Sequence, residues 1–103
     1  VSVSLLRIGN VLLSQGDRAG ALERFQRSLE ISERLSAADP ASADRARDVF
    51  VSNYGMYTVS DEVGEQRAYL AAALAILLDL QGRGALAPAD EPFIAQIQGM
   101  LGP

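Results

Sequence analysis

Residues 5–29 read LLRIGNVLLSQGDRAGALERFQRSL, and this stretch decides the fold. Leu5, Ile8 and Leu12 recur at helical spacing, and then Ser14-Gln15-Gly16-Asp17 combines a stop with a start. Gly16 can take the left-handed conformation that closes one helix, and Asp17 can cap the next. The spacing predicts one helix over about 2–15 and a second over about 18–38. In the second, Leu22, Phe25 and Leu29 share a face. Glu23 with Arg27 and Glu30 with Arg34 form opposite-charge pairs four residues apart, the pattern of a solvated face.

Working outward, the punctuation repeats. Asp39-Pro40-Ala41-Ser42 breaks the second helix, because a residue before proline avoids helical dihedrals, and Asp39 or Ser42 can cap a third reaching about Val59. Ser60-Asp61-Glu62 restarts the chain. A fourth helix over about 62–81 is apolar almost all round from Ala68 to Leu78, which predicts packed neighbours on two sides. Gly82-Arg83-Gly84 ends it and Pro88 to Pro92 make a turn with Asp90 as a possible cap. Phe93, Ile94, Ile97 and Leu101 mark a short fifth helix over about 90–101. Strand-like alternation is absent, so the expected class is all-α with about five helices in one domain spanning 1–103.

Composition removes most chemistry. The 103 residues contain no cysteine and no histidine, so thiolate sites, disulfides and the commonest general base and metal ligand are all missing. The nine basic residues are all arginine, and a net charge of −4 opposes a phosphate backbone, so no nucleic acid is expected. The longest apolar run, Ala68 to Leu78, is about half of the ~20 residues a membrane span needs, so no membrane is expected. Val1 to Leu6 carry neither an initiator methionine nor a signal-like start, which reads as a fragment of a longer, cytoplasmic chain. The acid pairs Asp61/Glu62 and Asp90/Glu91 sit at helix starts, where carboxylates favour the helix dipole. Ser14, Ser28 and Ser60 have no histidine or lysine to activate them. The reading is a non-enzyme with no catalytic residue, cofactor or metal.

The chain repeats itself. A shift of 46 places Val3, Leu5, Ile8 and Gly9 on Val49, Val51, Tyr54 and Gly55. With one further residue inserted, Ala21, Leu22, Phe25, Ser28 and Leu29 fall on Ala68, Tyr69, Ala72, Ala75 and Ile76. Glycine costs about 1 kcal/mol relative to alanine inside a helix, so Gly9 and Gly55 in the same phase imply close helix approach. The pattern Leu5-x-x-Ile8-Gly9-x-x-Leu12, Gly16-Asp17, Ala21-Leu22-x-x-Phe25-x-x-Ser28-Leu29 resembles the tetratricopeptide repeat family. It is similar to that family's longer-repeat branch, of the kinesin light chain kind, and to the C-terminal portion of a larger bacterial-type repeat protein. Leu5 stands where tryptophan is common, and the family's terminal proline is missing after Leu29, where the second helix continues to about Ala38. The resemblance implies a right-handed α-solenoid fragment, with repeat one at about 2–38, repeat two at about 42–82 and a capping helix at about 90–101.

That resemblance also implies a function: a protein–protein interaction module, a scaffold that binds a partner peptide or domain on a concave helical surface. Carried over by position, the groove would show Val3, Leu6, Asn10 and Leu13 from the first helix. From the third it would show Val49, Ser52, Asn53, Met56 and Val59. Asn10 stands where members that clamp a peptide carboxylate keep asparagine, but Leu6 and Ser52 replace their basic residues, so a mainly apolar partner is expected. The alternative is a self-association or array-end element. An apolar patch containing Val3, Leu6 and Leu13 would then meet its own copy in a homodimer.

Overall fold

The computed structural model describes residues 14–102. Among these are four α-helices and no strand: α1 (Arg18–Ala38), α2 (Ala43–Val59), α3 (Val63–Gly82) and α4 (Glu91–Leu101). A 3₁₀ turn, Pro88–Asp90, leads into α4. The predicted first helix lies almost wholly outside the described residues. The other four helices form where the punctuation places them, within a residue or so at each end.

Local chemistry explains those ends. The Asp17 carboxylate accepts the Gly20 N–H at 2.9 Å, satisfying a donor that no helical carbonyl can reach. The cap folds closely over the first turn, and a Cβ on residue 20 would lie 2.5 Å from Asp17 Oδ2, so the exposed carboxylate would have to turn aside for it. Ser42 Oγ accepts from Arg45 N–H at 3.2 Å and opens α2. At the end of α3, Gly84 takes φ +69°, its N–H reaches Gln81 O and the Ala85 N–H reaches Leu80 O at 2.8 Å. This pair of bonds closes the last turn around a left-handed residue. The acidic starts behave differently from expectation. Neither Glu62 nor Asp90 caps a helix with its side chain; Asp90 is bonded instead to Arg47, and Asp61 pairs with Arg18.

Short connections make consecutive helices antiparallel, and three arginines pin the ends together. Arg18, at the start of α1, donates through Nε and Nη2 to Val59 O at 3.0 and 2.8 Å, the last residue of α2. Arg67, near the start of α3, donates through Nη2 to Leu101 O at 2.7 Å, the last residue of α4. Each guanidinium meets the negative end of a helix and one of its unpaired carbonyls. Arg83 Nη1 reaches Pro40 O at 3.4 Å and ties the end of α3 to the turn between α1 and α2. Thus α1 and α3 run one way, α2 and α4 the other.

α2 is the central helix and carries two buried stripes. Met56 and Val59 pack with Ala21 and Phe25 of α1, joined by Leu29 and Tyr69 at the edge. Phe50 packs with Leu70, Ala73 and Leu77 of α3 and Ile97 of α4. The contact between α1 and α2 also has a polar part: Ser52 Oγ lies 3.1 Å from Ser28 Oγ and 3.0 Å from Ser32 Oγ, and Ser32 Oγ donates to Ser28 O at 2.7 Å. These hydroxyls are buried and mutually bonded, which removes the desolvation cost they would otherwise carry.

The internal equivalence in the second helices needs correction. Ala68, Ala72 and Ala75, expected to match buried Ala21, Phe25 and Ser28, are exposed. The buried four-then-three spacing of Ala21, Phe25 and Ser28 recurs instead at Ala73, Leu77 and Leu80. α3 does have α2 and α4 as neighbours, but its Ala71, Ala72, Ala75 and Leu78 face outward. An all-apolar helix has no polar face to betray its rotation, so five residues of phase error left no trace in the pattern.

Candidate interaction surface

Three of the sequence candidates, Leu6, Asn10 and Leu13, lie outside the described residues, as does Val3. The other four are packed inside. Ser52 is completely buried in the serine cluster, and Met56 and Val59 are 3% and 2% exposed against α1. Asn53 is also buried, and its Nδ2 donates to Val49 O at 2.9 Å, one turn earlier in its own helix. Ser52, Asn53 and Met56 border no hollow, while Val59, though buried, borders one beside Ala19 and Leu22. The stripe assigned to a partner is the stripe that α2 buries against α1.

The half-open side of α2 is a different stripe, Arg47, Val51, Tyr54 and Tyr57, which shares a helical face with buried Phe50. α4 is antiparallel to α3 and brings Phe93 beside it. Phe50 and Phe93 meet edge-on with centroids 5.6 Å apart, and Tyr54 meets Phe93 and Tyr57 edge-on, each at 5.5 Å. Edge-to-face contacts of this kind place the positive rim of one ring on the negative face of the next. Tyr57 Oη donates weakly to Met100 Sδ at 3.4 Å and closes the row. Arg47, Phe50, Val51, Tyr54 and Phe93 surround a hollow of about 140 Å³.

Electrostatics fix the rim of that hollow. Arg47 donates through Nε and Nη2 to the two Asp90 oxygens at 2.6 and 3.0 Å, a bidentate pair. The Asp90 side chain is 2% exposed while that of Arg47 is 47% exposed, so the acid is sealed in and the base faces water. The hydrogen bond to Asp90 raises the Arg47 pKa above its ordinary value despite partial burial, with further support from the Asp90, Asp48 and Asp44 charges. The guanidinium is committed to holding α4 on α2. Among the described residues no three His, Cys, Asp or Glu side chains converge as metal ligands. No described helix is long and apolar enough to cross a membrane.

One signal could have pointed to this face: Arg47, Phe50, Val51 and Tyr54 stand at i, i+3, i+4 and i+7. Nothing local connects Arg47 with Asp90, 43 residues on. Compared with family models, with curated proteins and with solved structures, the chain matches none.

Proposed function

We propose that this chain is a non-catalytic interaction module of the tetratricopeptide-like kind, which receives an apolar side chain of a partner protein or peptide on the face formed by α2 and α4. The hollow bounded by Val51, Tyr54 and Phe93 carries this reading, because it is walled by rings and open to solvent. At about 140 Å³ it is smaller than the ~300–1,000 Å³ of small-molecule and cofactor sites, and fits one side chain better than a free ligand. Alternation of helix direction also supports a hairpin stack, as does the repeated use of an arginine to close the end of a later helix. Half-buried aromatic residues with a pre-set orientation are the usual anchors of protein interfaces.

The test is selection of peptides from a random library on the full chain, followed by mapping of amide chemical-shift changes. Shifts centred on Val51, Tyr54 and Phe93 are expected. Failure to select any peptide, or shifts centred elsewhere, refutes the assignment. Light scattering at about 100 μM, where a micromolar dimer would be mostly formed, separates this reading from self-association.

A further inference from the structure

The opposite face holds a second, independent feature. α1 and α3 run parallel with α2 between them as a floor, and a hollow opens at each end of the cleft between them. At one end, about 480 Å³ is bounded by Ala37 and Pro40, by Ala46 and Val49 on the floor, and by Ala75 and Ile76. At the other, about 560 Å³ is bounded by Ala19, Leu22 and Val59. Leu22 is 38% exposed there, a large apolar side chain left in water. Small side chains, Ala19 at one end and Ala37, Ala46 and Ala75 at the other, keep the hollows open, and half-buried Leu29 and Tyr69 pack on the α1–α2 core between them.

The rims are acidic. Glu33 and Asp79 border the first hollow, and Asp61, Glu62 and Glu65 border the second, against only Arg83 and Arg18. Both arginines are already engaged: Arg83 with Asp79 and Pro40 O, Arg18 with Asp61 and Val59 O. No ion pair among the described residues involves Glu33, Glu62 or Glu65.

We infer that the α1–α3 cleft is a docking groove for a basic amphipathic helix of a partner protein. Apolar anchors on the helix would enter the two hollows, and its lysines or arginines would meet the unpaired carboxylates at either end. Leu22 and Ser36 are 14 residues apart on α1, about 21 Å at helical rise, so the occupant needs about four turns. A helix suits the cleft better than an extended segment, because walls made of helices offer no free backbone edge to satisfy a strand. A second copy of this acidic chain would bring like charge to the rims.

The probe is a labelled 15-residue peptide with leucines at i, i+3 and i+4 spacing and lysines elsewhere, beside a counterpart with glutamates for lysines, titrated against the full chain by fluorescence anisotropy. The lysine peptide should bind at least about tenfold more tightly than the glutamate peptide, with affinity falling as salt rises. Ala75→Trp fills the cleft from an exposed position without changing net charge, and should weaken binding by about tenfold or more. Glu33→Lys with Glu65→Lys should do the same, while Val51→Ser on the α2–α4 face should not; circular dichroism confirms that each variant is folded. Three results overturn the proposal: no binding of the lysine peptide; binding unchanged by Ala75→Trp, which marks unspecific charge adsorption; or a dimer in light scattering that Ala75→Trp breaks, which makes a second copy the occupant.

Discussion

Replacing Arg47 by methionine should cost far more stability than replacing Asp90 by asparagine, although the two residues share one interaction. Methionine keeps much of the arginine stem but leaves the Asp90 carboxylate, 2% exposed, without either of its bonds at 2.6 and 3.0 Å. Breaking a fully buried pair from one side costs about 3–5 kcal/mol. Arg47 is half exposed, so water enters where it stood and the expected cost falls to about 2–3 kcal/mol. In Asp90→Asn the amide still accepts one bond and Arg47 can turn to water, for a cost of about 1 kcal/mol. Arg47→Met combined with Asp90→Leu removes both polar groups and should cost at least about 1 kcal/mol less than the two separate effects added together. Because Asp90 holds the Arg47 pKa above its ordinary value, the guanidinium stays charged at any pH used for unfolding, and the contrast measures the pair rather than a titration. Urea unfolding followed by circular dichroism is the assay. With a slope of about 1–3 kcal/mol per molar, Arg47→Met should lower the midpoint by about 1 M or more. Equal losses for both single variants, or losses under about 0.5 kcal/mol, would refute the claim that the carboxylate is sealed from water.

Other outcomes follow from the packing. Phe25→Ala, at a position 1% exposed between α1 and α2, should cost about 3–5 kcal/mol, read as a fall in urea midpoint. Gly20→Ala should gain less than the ~1 kcal/mol that helix propensity promises, because the Asp17 carboxylate must turn aside for the new Cβ. In an Asp17→Ala background, where no cap remains to be displaced, the same change should raise the melting temperature. Ser52→Ala should cost about 0.5–1.5 kcal/mol by removing the central hydroxyl of the serine cluster, and a stabilised variant would show that the cluster is mere filler. Truncation after Ala87 uncovers Phe50 and Leu77 and should give a chain that binds a hydrophobic dye and unfolds without a sharp transition.

Helix limits were legible because their causes are local. Asp17, Ser42 and the Gly82-Arg83-Gly84 stop each act within a few residues, and each leaves a mark in the sequence. Rotation about a helix axis was not legible. On α2, Phe50, Tyr54 and Tyr57 form one four-then-three stripe and Ser52, Met56 and Val59 another, and a helix held between two neighbours needs both. Pattern alone cannot say which stripe looks outward, so the resemblance-based choice fell on the stripe that α1 covers. α3 shows the same limit in its purest form, since Ala72 and Ala73 read alike while one is exposed and the other fully buried. Asp90 was read as a helix cap because nothing near it names Arg47. That pairing exists only once α4 has come to lie beside α2.

The arginines at Val59 and Leu101 share one direction along the chain. In each case the guanidinium precedes in the chain the carbonyl it receives: Arg18 comes before Val59 and Arg67 before Leu101. During synthesis, which proceeds from the amino end, the clamp is therefore already made when the helix end it will hold emerges.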